Sequence, residues 1–224
     1  MAKVAVLVDL SFFLMQYRKL RHPGGQPLVA TEVAKAVWGT ARAHVDKGAD
    51  ELYRILVYDC RPLRKKAHNP ISKQAVDFSQ TDTFRFRTEL HRELVCKRKV
   101  ALRLGELASR SRWIIRENPT KELLAGRITV SQLSEKDVEY DVRQKGVDIK
   151  IGIDIASIAY KRLADRVVLI TGDADFVPAA KLARREGVDV VLDPLWAPIS
   201  PSLNEHIDGL DSHWPKPTGK IIVP

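Results

Sequence analysis

The chain has 224 residues, the upper end of one ordinary domain, and its 45% hydrophobic and 29% charged content is that of a folded soluble protein with a substantial core. No stretch approaches the roughly 18 apolar residues that span a bilayer, so no membrane partner is expected, and two cysteines, Cys60 and Cys96, are too few for a disulfide framework or a zinc site of their own; a reducing cytoplasm fits. The net charge of +9 is unevenly spread: Arg61 to Arg112 holds fourteen Lys or Arg against five Asp or Glu, an excess equal to that of the whole chain. Such an excess serves either as a solvated face or as a surface for a polyanion, whose neutralised phosphates release condensed counterions.

Val4 to Val8 is an apolar run that stops at Asp9. The carboxylate interrupts what would otherwise resemble a signal peptide, so the run reads as a first strand. Thr31 is the expected N-cap of a helix carrying Val33, Val37 and Ala41 at i, i+4 spacing and ending near Lys47-Gly48. Leu52 to Tyr58 is a second strand, stopping at Asp59, and Leu90 and Leu94 mark a helix that runs into the basic cluster. Residues 98–140 read as a less regular insertion near one sheet edge. Within it Val100 to Leu104 and Gly126 to Leu133 alternate like strands, and Asn118-Pro119 reads as a turn. Ile149 to Ile155 also alternates, but Ile151, Ile155 and Ile158 keep helical spacing and no Gly or Pro follows before Val167, so a helix is expected. Val167 to Ile170 and Val188 to Leu192 are strands joined by a helix from Phe176 to Glu186, closed by Gly187. Residues 194–224 hold six of the twelve prolines and read as a tail packed on the surface, with a short helix around Leu203 to Leu210.

Short apolar runs without alternation are strands buried on both faces. Their alternation with helices predicts an α/β domain over residues 1–193, a mostly parallel sheet with helices on both faces. Ligands of such sheets bind beyond the carboxyl ends of the strands. Asp9, Asp59, Asp173, Asp175 and Asp193 all lie at such ends, although Pro194 gives Asp193 the look of a structural turn. An aspartate there commonly caps the next helix or closes an Asx turn. Thr171-Gly172-Asp173-Ala174-Asp175-Phe176 carries one more carboxylate than a single helix start needs. Carboxylates gathered at one rim repel one another unless cations compensate, and an all-oxygen set suits Mg²⁺ or Mn²⁺.

Asp9 after the first strand, Lys145-Gly146-Val147-Asp148, Asp154 six residues on and Thr171 to Phe176 together resemble the NYN domain, and within it the LabA-like branch of the PIN-like nuclease superfamily. The resemblance runs from about Val4 to Leu192 and implies a PIN-like three-layer sandwich and metal-dependent cleavage of RNA. It makes Asp9, Asp154, Asp173 and Asp175 the metal ligands. By the resemblance Asp175 is either the second ligand beside Asp173 or the water-positioning base, and Asp148 is an outer member of the catalytic set. One departure stands out. The family continues its first aspartate as D-G-x-N, whereas this chain reads Asp9-Leu10-Ser11-Phe12, with no Asn.

The enzymatic expectation is therefore an endoribonuclease using Mg²⁺ or Mn²⁺, with single-stranded or structured RNA held by Arg61, Arg64, Lys65, Lys66, Lys97, Arg98, Lys99 and Lys145. A homodimer is the family-level expectation. The alternative is an RNA-binding or adaptor protein whose site has decayed, with Phe12 as its sign. A small-molecule phosphoesterase would leave the basic segment without use. There is no G-x-S-x-G elbow, no G-x-G-x-x-G and no Walker A sequence. The six histidines, His22, His44, His68, His91, His206 and His213, fall at no metal-ligand interval and read as incidental.

Overall fold

The first strand, β1 (Ala2–Asp9), is buried on both faces from Val4 to Val8, as an apolar run in a central parallel strand must be. In the computed structural model, residues 1–217 are described, and of Ser109, Arg110 and Ser111 only the backbone is. The Arg110 side chain of the basic segment and residues 218–224 of the tail lie outside the described residues.

The first strand hands over to its helix through a polar cap. Asp9 Oδ1 accepts from the N–H groups of Ser11 and Phe12 at 3.0 and 3.1 Å and so starts α1 (Leu10–Arg21) without a loop. Next comes α2 (Ala30–Ala43), which buries Val33, Ala34, Val37 and Ala41. Its N-cap is Val29 with no side-chain bond, so Thr31 lies inside the first turn and the helix is shifted from the predicted span. β2 (Asp50–Cys60) follows, then a hairpin of β3 (Lys66–His68) and β4 (Ala75–Asp77). Thr81 then caps α3 (Asp82–Val95).

The predicted insertion is more ordered than expected. β5 (Val100–Ile115) runs well past Leu104 and is followed by α4 (Glu117–Leu124), where Asn118 and Pro119 stand in the first turn. First-turn N–H groups have no partner within a helix, so proline is tolerated there and the predicted turn is absent. Gly126 to Leu133 is not a strand. Gly126, at φ +68°, ends α4, and Val130–Gln132 is one 3₁₀ turn with Val130 75% exposed. The sheet edge is taken instead by β6 (Val138–Lys145), antiparallel to β5.

Gly146, in the left-handed region at φ +77°, turns the chain from β6 into α5 (Val147–Tyr160), the helix expected over this isoleucine-rich stretch. Then follow β7 (Arg166–Ile170), α6 (Val177–Arg185), β8 (Asp189–Asp193), the short α7 (Pro201–Glu205) and β9 (Gly209–Leu210). The large sheet has the order β6-β5-β2-β1-β7-β8-β9, parallel throughout except at β6. One face packs Val6, Val8 and Val57 against α1, α2 and α3 through Phe13, Val37 and Leu90. The other packs Leu7, Leu56 and Leu169 against α5 and α6 through Ile151, Ile155 and Ala180. The result is a three-layer α/β sandwich.

Candidate metal and RNA site

The carboxyl ends of β1, β2 and β7 and the start of α5 meet at one rim, because β6 brings the chain back antiparallel and pairs Lys145 with Glu106, next to the level of Cys60 and Gly105. Asp9 leaves the rim on the α5 face, following Ala5 and Leu7. Burial pushes its carboxyl up to about 6. The two backbone N–H groups it caps pull it down, and the charges of Asp148 and Asp173 add to the rise. Asp148, in the first turn of α5, is raised by burial and then by Asp173 and Asp175. Asp173 Oδ1 accepts from the Asp175 N–H at 2.9 Å and caps a 3₁₀ turn over Ala174–Phe176, and Thr171 Oγ1 accepts from the Asp173 N–H. The cap uses Asp173 alone, so the Asp175 carboxylate is free of that duty.

Among the described residues, none of Asp9, Asp148, Asp173 and Asp175 has a cationic partner within 4.0 Å, although the chain carries a net +9. Four carboxylates from three elements thus gather at the rim, and among the described residues no cation lies close enough to pair with them. An all-oxygen donor set of this charge fits a hard divalent cation. The spacing is looser than a closed cage, since among the described residues only His44, Asp211 and His213 bring three donor atoms within 4.8 Å of one another. Mg²⁺, which keeps several waters and takes one or two carboxylates, suits the open arrangement.

Asp154 is placed differently. It lies six residues along α5 from Asp148, and its Oδ2 accepts from the Tyr58 hydroxyl at 2.8 Å and from Arg103 Nε at 2.9 Å. Burial and then the Asp154 charge push the Tyr58 phenol far above its usual range, which keeps it a donor. Asp59 leaves the set altogether. Asp9 is in register with Tyr58, so Asp59, one residue on, points to the other face of the sheet. There it is 2% exposed, with Arg87 Nη1 at 2.6 Å and His91 Nε2 at 2.7 Å. Burial raises its carboxyl, but the His91 hydrogen bond and the Arg87 charge outweigh that and hold it below the usual range.

Phe12 lies over the site. A Cβ added to Gly172 would come within 2.8 Å of the Phe12 ring, so the glycine makes room for the aromatic side chain that stands where the family pattern has Asn. Ser11 Oγ is engaged by Gln144 Nε2 at 2.7 Å, a bond that ties the end of β6 to the start of α1.

The basic residues divide between the two ends of the sheet. Arg61, Arg64, Lys65 and Lys66 follow β2 directly at the acidic rim, and Lys145 ends β6 there. Lys97, Arg98 and Lys99 precede β5, whose Val100 pairs with Ile55, and so belong to the opposite end. There Trp38 Nε1 donates to the Arg98 carbonyl, and Lys99 bonds the Leu52 carbonyl and Glu51. Beside the rim lies a cleft of about 530 Å³ lined by Phe78, Phe84, Trp113 and Tyr140. The rings of Phe78, Trp113 and Tyr140 are 5.1 to 6.3 Å apart, with Arg64 over Phe84 at 5.7 Å and Lys65 over Tyr140 at 5.5 Å. Aromatic faces flanked by cations are a platform on which bases stack.

A PIN-like α/β sandwich with acidic residues at the carboxyl rim of its parallel strands is the class that this fold and site define. The family model of the NYN domain matches residues 62–202, and the chain belongs to that family. The matched span includes Asp148, Asp154, Asp173 and Asp175 and begins after Asp9. Membership points to nuclease-like work on RNA. Among solved structures, a protein of unknown function from Vibrio parahaemolyticus is similar at 16% identity and TM-score 0.44, covering 93% of this chain and 91% of that one. A search of curated proteins found no match. Among the described residues no helix is long and apolar enough to cross a membrane.

Proposed function

We propose that the chain is a metal-dependent endoribonuclease whose acidic rim holds Mg²⁺ or Mn²⁺ against an RNA phosphodiester. The observation that carries this reading is the set of four carboxylates, Asp9, Asp148, Asp173 and Asp175, that have no cationic partner among the described residues of a strongly basic protein. Asp9 and Asp173 would hold the ion at the two central strand ends, with Asp175 and Asp148 completing the acidic shell. Asp154 serves from one side, its carboxylate oriented by Tyr58 and Arg103. When bound, the cation supplies the charge that activates water and stabilises the leaving oxygen. The RNA backbone runs along Arg61, Arg64, Lys65, Lys66 and Lys145, which fix its position without reading sequence. A base next to the scissile phosphate stacks in the aromatic cleft. Cleavage in line leaves 5′-phosphate and 3′-hydroxyl ends. Within the family, the Lys145 to Asp148 and Thr171 to Phe176 segments favour the LabA-like branch.

Phe12 over Gly172 favours one competing reading, an RNA-binding protein whose site has decayed. Incubating single-stranded and hairpin RNA with the protein in Mg²⁺, in Mn²⁺ and in EDTA separates the two. The nuclease cuts with either metal, stops in EDTA and leaves ends that a 5′-phosphate-dependent exonuclease digests. Binding without cleavage in all three buffers would establish the decayed site.

A further inference from the structure

Away from the acidic rim, the C-terminal tail brings two histidines into one cluster that their separation in sequence had hidden. His44 follows α2 and is buried, and Asp211 and His213 follow β9. His44 Nε2 lies 2.9 Å from Asp193 Oδ2, and the Asp193 side chain is completely buried. Asp193 Oδ1 accepts from the Leu195 N–H at 2.9 Å and the Ser212 hydroxyl at 2.6 Å. With Nε2 of His44 held against Asp193, the other ring nitrogen, Nδ1, is left to face outward.

Nδ1 faces the cluster. His44 Nδ1 is 3.7 Å from Asp211 Oδ2, and His213 Nε2 is 3.0 Å from the same oxygen. The two imidazoles stand at 74° with centroids 4.5 Å apart, and the three donor atoms all lie within 4.8 Å of one another. Four ligands at Zn²⁺ bond lengths of about 2.0–2.1 Å in a tetrahedron are about 3.3 Å from one another. The two separations bracket that value. A histidine whose far nitrogen donates to a buried carboxylate is how metal sites fix tautomer and ring orientation.

The ligands on the tail are also held from both sides. The Asp211 N–H donates to the Leu192 carbonyl at 3.0 Å. Trp214 is buried edge-on against Phe13, and its Nε1 donates to Thr40 Oγ1 at 2.7 Å. The site is therefore preformed rather than assembled by the ion.

We propose that His44 Nδ1, Asp211 and His213 Nε2 bind Zn²⁺, with Asp193 positioning His44, and that the ion clasps the tail to α2 and β8. Two imidazoles and one carboxylate suit a borderline ion, whereas the all-oxygen rim suits Mg²⁺, so one chain separates two classes of cation by ligand chemistry. The exposed side of Asp211 and His213 leaves the fourth position to solvent.

Full-length protein stripped with chelator, then titrated calorimetrically with Zn²⁺ in excess Mg²⁺, takes up one ion. At a hundredfold excess over Kd its melting temperature rises by about 5–10 °C. His213→Ala and Asp211→Asn change exposed side chains, so the fold persists while Zn²⁺ uptake and the melting shift are lost. Asp173→Asn keeps both. Zinc uptake that survives His213→Ala, or disappears with Asp173→Asn, would place the ion elsewhere and overturn the proposal. Wild-type protein that takes up no zinc would reduce the cluster to an ion pair of Asp211 with two imidazoles.

Discussion

Replacing Asp9 by Asn keeps an oxygen to accept from the Ser11 and Phe12 N–H groups and removes the charge, so it isolates the electrostatic cost of the acidic rim. Burial, with Asp148 and Asp173 nearby, moves the Asp9 carboxyl from 3.8 to about 6, a rise worth at most about 3 kcal/mol. Between these values the folded state binds a proton that the unfolded chain has lost. Stability from this group therefore falls as pH rises from about 4 to 6, and the whole penalty is present above that window. Asn accepts more weakly than a carboxylate, which leaves an expected gain of about 1–3 kcal/mol for Asp9→Asn at pH 8 in EDTA. For a chain of this length that is a rise of roughly 2–12 °C in melting temperature. At pH 4 the two proteins should melt together. Added Mg²⁺ or Mn²⁺ should then stabilise the wild type and leave the variant nearly unchanged, since the cation binds the charge that the variant lacks. Thermal melts at the two pH values, with and without metal, read all four conditions. A variant less stable than wild type at pH 8 in EDTA, or an advantage that does not change with pH, would refute this reasoning.

Asp59→Asn should cost about 3–5 kcal/mol in denaturant melts, because it leaves Arg87 and His91 against a buried site without their anion. The Asp59 carboxyl is held low, so the stability it gives is present above the unfolded value and lost as pH falls through the folded one. The variant should therefore show a flatter acid-unfolding profile. Gly172→Ala drives a methyl group to within 2.8 Å of the Phe12 ring and should cost about 1–3 kcal/mol. In a Phe12→Leu background most of that cost should disappear, as a double-mutant cycle would record. Neutralising Arg61 and Arg64 should weaken binding of single-stranded RNA and lower the salt slope by about 0.7 per lost phosphate contact. Arg98→Ala, at the other end of the sheet, should leave both unchanged in filter-binding titrations.

The core strands were legible because a chain buried on both faces has to be apolar without alternation, and each such run ended within two residues of the strand's end. The two-sided sandwich followed from helices alternating with those runs. Asp9 and Asp59 looked alike, each closing an apolar run, and only register tells them apart. A one-residue offset between β1 and β2 turns Asp59 to the opposite face, toward α3, and register between distant strands is a tertiary property. The edge strand β6 was hidden for a different reason. It buries Val138 and Asp141 but exposes Glu139, Arg143 and Gln144, a pattern no more apolar than a loop. In residues 126–133 alternation was present without an edge to pair with, so it produced no strand. His44 and His213 meet because the tail folds back across β8 and α2, tied by Ser212 to Asp193, by the Asp211 N–H to Leu192 and by Trp214 to Thr40. The Asp-x-His spacing of Asp211 and His213 was the one local sign of that cluster.

The most direct test of the acidic rim as a catalytic metal site measures cleavage and binding of the same end-labelled single-stranded RNA by wild type and Asp173→Asn in Mg²⁺. The single-turnover rate should fall by more than about 100-fold, beyond the range seen for disturbing a metal site's outer shell, while the RNA dissociation constant stays within about twofold, since among the described residues Asp173 pairs with none of the basic side chains. Equal cleavage by the two proteins would contradict the catalytic assignment.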